Sequence, residues 1–298
     1  MEKLDQNLKK ELLTWHEKLF ARSVRRKEKL QRLKESLGSI CNQRCLLISG
    51  GDAMIARNLR QNGTVWEVLG INEKAVTGLR QILDDEVKQF AELPLPYEDN
   101  SFDTLIIADA LECVPQDYDF IKDCHRVLKS DGRLIITVGC MRSFGVIRGL
   151  NQLVGQRDEQ AGRLRPGYAS RQLFDILKDG FDVPGITRYS GFFSAFAGVF
   201  ASLAARLVVA PCYEIPPEQV DQYLFYKYRH LNVLVGVGYA FMLLAAGLDK
   251  ISGFLPRYNL IAKTKPRTWR SRKVPVLADG RSIAEAALNT KIGTAVEF

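Results

Sequence analysis

A doubly wound α/β sheet is the fold class that this sequence predicts, and three observations carry it. From Cys45 onward, short apolar runs alternate with helical patterns at the spacing of parallel strands and crossover helices. Residues Leu93–Val138 hold a fixed order of turn, apolar strand, helix, turn and second apolar strand. Strand patterns return late, at Phe181–Tyr189 and Tyr258–Lys265, after less regular stretches.

The elements follow in order. Residues 2–37 are rich in Lys, Arg, Glu and Leu, with apolar residues near helical spacing, and predict one or two amphipathic helices ending near Gly38. Their basic run Arg22–Lys29 suits a solvated helix face or contact with anionic lipid. CLLIS at Cys45–Ser49 reads as a buried strand and Met54–Gln61 as a helix. Val65–Ile71 and Glu73–Leu83 repeat that pair, and Glu86–Ala91 is a third strand. FDTLIIAD at Phe102–Asp109, a helix across Tyr118–Leu128, and RLIITVG at Arg133–Gly139 complete the regular part. Met141–Gly155 and Ser170–Lys178 read as helices. Two apolar stretches, Phe192–Ala205 and Leu231–Leu248, flank the turn-rich segment Tyr213–Gln222, and a short helix is expected at Ser282–Leu288.

Composition narrows the function classes. Hydrophobic residues at 46% and charged residues at 26% over 298 residues describe an ordinary globular chain. Six cysteines without a CxxC spacing and only three histidines argue against a metal site and for reduced thiols. The net charge of +8 suits an anionic membrane surface, a nucleic acid or an acidic ligand. MEKLDQNLKKELL contains no apolar core of a signal peptide, so a cytoplasmic location is expected.

The segment Leu93–Val138 carries the motifs: Leu95-Pro96-Tyr97, Ser101-Phe102-Asp103, Leu111-Glu112-Cys113 and Arg126-Val127-Leu128-Lys129-Ser130-Asp131-Gly132. In order and spacing it resembles the class I S-adenosylmethionine (SAM)-dependent methyltransferases, in the branch of the ubiquinone and menaquinone methyltransferases. Through PVLADGRSIAEAALNTKIGT the chain also resembles a bacterial membrane-associated methyltransferase-like group. The resemblance implies a Rossmann-like, seven-stranded sheet with an antiparallel last strand. It implies SAM as cofactor, held outside the carboxyl ends of the strands. The positions implied are Ser49, Gly50, Gly51 and Asp52 for the methionine part, Gly70 or Asn72 for the ribose, Glu92 and Leu93 for the adenine, and Asp109 and Ala110 where donor and acceptor meet.

The chain departs from the family pattern at two places. Leu47 stands where the glycine-rich motif has its acid, and Ser49 and Ala53 replace two of its glycines. Gly70 stands where a carboxylate bonds the ribose hydroxyls, with Asn72 two residues on. Losing that acceptor costs about 1.5–3 kcal/mol of binding. Glu112, Tyr97, His125 and Arg142 lie near the expected edge by topology, with no catalytic role assigned and His125 read as structural.

The expected organisation is basic helices over 1–38, a methyltransferase-like core over 39–191, an apolar helical insertion over 192–257, and the last strand with a basic tail over 258–298. Because strands precede and follow the insertion, it crosses a bilayer twice or not at all. The weakness of the first stretch favours monotopic attachment to the inner face of the membrane, through Phe192, Phe193, Phe196, Phe200 and Tyr239. An insertion at the carboxyl edge also walls the acceptor pocket, which points to a lipophilic or lipid-linked acceptor, with Arg142 and Arg148 able to meet a phosphate head group. A catalytically silent scaffold of the same fold, in lipid or surface-glycan assembly, is the alternative. A nucleic-acid substrate is disfavoured, because no NPPY-like tetrad or aromatic stacking platform is present.

Overall fold

The computed structural model describes residues 13–14, 16–38, 40, 42–60, 64–83, 87–141, 162–197, 232–252 and 256–270. Met1–Arg267 forms one compact unit and Thr268–Phe298 a second. The site lies in the first.

Five parallel strands build most of the sheet: β1 (Arg44–Ser49), β2 (Val65–Gly70), β3 (Val87–Gln89), β4 (Phe102–Ala108) and β5 (Leu128–Gly139). After Arg44 every residue of β1 is buried, as expected of a strand covered on both faces. The order is β3-β2-β1-β4-β5, continued by β8 (Asn259–Pro266) antiparallel to β5. This is the doubly wound, Rossmann-like architecture expected from the sequence, including its antiparallel last strand. The sixth strand pattern is split. Phe181–Asp182 (β6) and Ile186–Tyr189 (β7) both pair with β8, and Pro184-Gly185 fall between them. Proline donates no ladder hydrogen bond, so the run breaks there and the sheet counts eight strands instead of seven.

Helices α1 (Val24–Leu37), α2 (Ala53–Arg60), α3 (Glu73–Ile82), α4 (Asp117–Val127), α5 (Ser170–Leu177) and α6 (Asn232–Ile251) each end within three residues of the expected limits where a limit was expected. Leu30, Leu33 and Leu37 of α1 share one core with Leu47, Met54, Leu59, Val76 and Leu79. Helix α1 stops at Gly38, whose φ of 64° favours glycine and whose N–H reaches Lys34 O at 2.9 Å. The motifs that mark the sequence tie the sheet together at its other end. Lys129 bonds Asp103 at 2.7 Å, and Arg126 donates to Leu95 O, Tyr97 O and Asp99 at 3.0, 2.8 and 2.7 Å. A side chain on Gly132 would stand 2.9 Å from Lys129 O, which is why the tight turn there needs glycine.

Topology places the insertion. Tyr189 and Gly139 both pair with Asn259, so β7 ends and β8 begins at the carboxyl edge of β5. A short helix over 192–197 leaves that edge, and α6 returns towards it. Asp249 of α6 accepts the N–H groups of Phe193 and Ser194, each at 2.8 Å, and so caps the short helix. Among the described residues no helix is long and apolar enough to cross a membrane. Expectations for 142–161, which include Arg142, Arg148 and most of the Met141–Gly155 helix, lie outside the described residues, as do Phe200, Tyr213–Gln222 and Ser282–Leu288.

Candidate functional site

At the carboxyl edge, β1 gives way to the turn Gly50-Gly51-Asp52 and β4 to Asp109-Ala110. These turns meet. Gly50 donates to Ala108 O at 2.8 Å, and a Cβ on Gly50 would lie 2.2 Å from Asp109 O. The glycine is therefore required by the packing of β1 on β4. Gly51 has a φ of 115°, and a Cβ there would stand 3.3 Å from Ala75 Cα. A Gly51→Val change therefore strains the fold itself and cannot report on ligand space alone. Ser49, 2% exposed, accepts the Gly51 N–H at 3.1 Å and closes the turn. Leu47 is fully buried in the core, which leaves its position without an acid.

The second departure has a physical cause. Gly70 ends β2 beside Ser49, where a Cβ would lie 2.6 Å from Val76 Cγ2 and 3.0 Å from Val76 N. Helix α3 is seated too close for any side chain. Asn72 instead caps α3, accepting Ala75 N–H at 2.8 Å. Gly162 descends onto Asn72, close enough that a Cβ would meet its Nδ2 at 2.4 Å. Glu92 is exposed and Leu93 half-buried on the loop after β3.

Carboxylates and cations converge on the edge, and the cations come from the basic N-terminal run. Lys29, 8% exposed, forms an ion pair with Asp109, whose other oxygen accepts the Thr137 hydroxyl at 3.3 Å. Arg26 grips Asp52 with two hydrogen bonds of 2.9 and 2.5 Å. Arg25 reaches the Ser190 hydroxyl at 3.2 Å, and Lys27 meets Tyr239 of α6 at 3.2 Å, also lying over its ring. The run is thus no freely solvated face: through Arg25, Arg26, Lys27 and Lys29, α1 covers the edge. Burial pushes Lys29 down to about 8, although Asp52 and Glu112 oppose the shift. Asp52 is pushed up by burial but held below its ordinary value by Arg26 and Lys29.

Glu112, 1% exposed, lies in the short turn Leu111–Cys113. One of its oxygens accepts Gly139 N–H at 2.6 Å; the other is buried and finds no hydrogen-bond partner among the described residues. Its backbone oxygen accepts Leu164 N–H at 2.9 Å and Arg165 N–H at 3.3 Å, which fastens the 162–169 segment to the same edge. Two other expectations are corrected or explained. Tyr97 packs edge-on to Phe102 at 5.0 Å, at the start of β4 and so at the opposite end from Asp109. Burial pushes its hydroxyl up to about 12. His125 meets Arg267 O at 2.8 Å and the Phe181 ring, a structural role as expected.

The fold therefore brings Ser49, Gly50, Gly51, Asp52, Gly70, Asn72, Asp109 and Ala110 to one edge. It adds Arg25, Arg26, Lys29, Glu112 and Thr137, of which only Glu112 was placed near this edge from sequence. The missed signal is helical spacing: Lys29 stands four and eight residues before Leu33 and Leu37, on the face that α1 buries. Among the described residues no cluster of ligating side chains suits a metal.

The orphaned Glu112 oxygen and Asp109 fit the positive end of SAM, a sulfonium bearing an ammonium. The ribose end fits less well than the family pattern implies, because Gly70 holds no acid and Asn72 is engaged as a cap.

Residues 46–136 match a family model described as a methyltransferase domain. A demethylmenaquinone methyltransferase of Lactobacillus johnsonii is 28% identical over 115 residues, covering 37% of this chain and 47% of that protein. The chain thus spans about half the length of the curated relative it matches. Among solved structures, geranyl diphosphate C-methyltransferase from Streptomyces coelicolor is similar with a TM-score of 0.50 at 14% identity, covering 85% of this chain and 84% of that one. The cyclase SpnF is similar with a TM-score of 0.50 at 18% identity, over 80% and 79%. At such identities these two likenesses speak for the fold alone.

Proposed function

We propose that this chain, whose residues 46–136 match a methyltransferase domain model, transfers a methyl group from SAM to a lipophilic acceptor at a membrane surface. The observation that carries the reading is the convergence of Asp109 and the orphaned Glu112 oxygen at the carboxyl edge of that domain. SAM, when bound, supplies an electrophilic methyl on a cationic sulfur. The chain's own part is to align and shield. Asp109 and Glu112 would hold positive charge, Gly50-Gly51 let the backbone turn tightly at the end of β1, and Asn72 offers a polar side chain two residues beyond the end of β2.

The lipophilic acceptor rests on two supports. The relative named for demethylmenaquinone acts, by that name, on an isoprenoid quinone precursor. The insertion begins and ends at the carboxyl edge, and its helix α6 exposes Phe241, Leu244, Leu248 and Ile251, the last at 85%. Such an apolar stripe beside Lys250 suits the surface of an anionic bilayer.

A second reading, a silent scaffold of this fold, is favoured by two observations: Lys29 and Arg26 already neutralise Asp109 and Asp52, and Gly70 offers no side chain to a ribose. Calorimetry with SAM and S-adenosylhomocysteine (SAH) separates the two. Binding of either ligand, with transfer of labelled methyl to demethylmenaquinone in anionic vesicles, supports the enzyme. A folded protein that binds neither ligand is the scaffold.

A further inference from the structure

We propose that Lys29 is an internal counter-cation which gives up its Nζ proton to solvent when a cationic donor settles against Asp109, so that binding of the charged donor, unlike binding of its neutral-sulfur product, is coupled to proton release. The inference rests on the reading of this edge as a SAM site.

The geometry surrounds Lys29 from every side. Asp109 faces it from the end of β4, Asp52 from the turn after β1, Glu112 from the turn after β4, Arg163 from the 162–169 segment, and Arg25 from its own helix. Thr137 of β5 holds the second oxygen of Asp109. Lys29 is 8% exposed, so its ammonium has lost most of its water and depends on these carboxylates. Burial has already brought it to about 8.

A sulfonium is a permanent cation and cannot yield its charge; an ammonium can. Placing the first beside Asp109 and Glu112 puts two positive charges on one set of carboxylates. Like charges disfavour the protonated form, and the proton on Lys29 is the one that can leave. Linkage makes the effect reciprocal: a ligand that expels a proton binds more tightly as pH rises. Once the methyl has left, the sulfur of the product is neutral, Lys29 regains its proton from solvent, and the ion pair with Asp109 re-forms. The product then has lost the sulfonium charge that competed with Lys29, keeping only its ammonium.

Titration calorimetry of SAM and SAH into the full chain, in buffers of different ionisation enthalpy, counts the protons released. Near pH 7 SAM should release up to one proton and SAH clearly fewer. The neutral fraction of a group titrating at about 8 rises roughly tenfold between pH 7 and pH 9, so SAM affinity should rise about as much while SAH affinity changes little. In Lys29→Gln the proton release and the pH dependence should vanish, and the preference for SAM over SAH at pH 7 should widen. The proton count on the unaltered protein stands whether or not the variant folds. Equal proton release with both ligands, or none with SAM, overturns the inference while leaving the SAM site intact. If neither ligand binds, the enzyme reading itself fails and this inference with it.

Discussion

Restoring the missing ribose acid by Gly70→Asp is the engineering step that the family resemblance invites, and the structure predicts that it fails. A Cβ at residue 70 would stand 2.6 Å from Val76 Cγ2, 3.0 Å from Val76 N and 3.1 Å from Val76 Cα. Val76 is 3% exposed and β-branched, with its neighbours on α3 packed against the core, so neither its methyl nor its backbone can step aside cheaply. Gly70→Ala isolates the steric part. Overpacking of this kind costs about 1–3 kcal/mol, which lowers Tm by roughly 2–12 °C in a domain of this size. Gly70→Asp should cost more, because it also buries a carboxylate. Adding Val76→Ala removes the 2.6 Å contact and leaves the backbone contacts. The Gly70→Ala/Val76→Ala double variant should therefore be more stable than the sum of the singles by roughly 0.5–3 kcal/mol. Thermal and urea unfolding provide the stabilities, and calorimetry with SAM the affinities. A Gly70→Ala protein as stable as the parent, or a Gly70→Asp protein that binds SAM more tightly at unchanged Tm, would refute the close seating of α3.

Three further outcomes are expected. Asp52 is held below its ordinary carboxylate value of 3.8, so its pairing with Arg26 contributes stability above that pH and loses it as pH falls through the lower folded value; Arg26→Ala should therefore destabilise most at pH 7 and progressively less as pH falls below 3.8, and a loss that does not shrink with falling pH would contradict the pairing. Gly191→Ala would set a methyl 2.1 Å from Asp249 Cγ, so it should release the capped helix over 192–197 and expose that segment to limited proteolysis, with the sheet intact by circular dichroism. The double change Phe241→Glu and Leu244→Glu on the exposed face of α6 should abolish flotation with anionic vesicles while leaving Tm within about 1 °C, since surface changes cost little; undiminished flotation would remove α6 from the membrane reading.

The sequence by itself determined the sheet. Its apolar runs are continuous in β1, β4 and β5 because parallel strands are buried on both faces, and that pattern is local enough to read directly. The Ser-Phe-Asp and Arg-Val-Leu-Lys motifs were legible for the same reason, and the structure gives their contacts: Asp103 to Lys129, and Arg126 to the loop before β4. The glycine departures could be located but not explained. Only the tertiary structure shows that Gly50 is claimed by the Asp109 backbone and Gly70 by Val76, contacts between residues far apart in the chain or on different elements. The cover formed by α1 is the clearest case. A basic helix reads as solvated or lipid-facing, because composition reports charge and not direction. Lys29 faces Asp109 because Leu30, Leu33 and Leu37 commit one side of that helix to the core and carry the ammonium in with them, 80 residues from the carboxylate it meets. Burial and pairing of that kind arise from long-range packing, which spacing along a single helix can suggest but only the assembled sheet edge can decide.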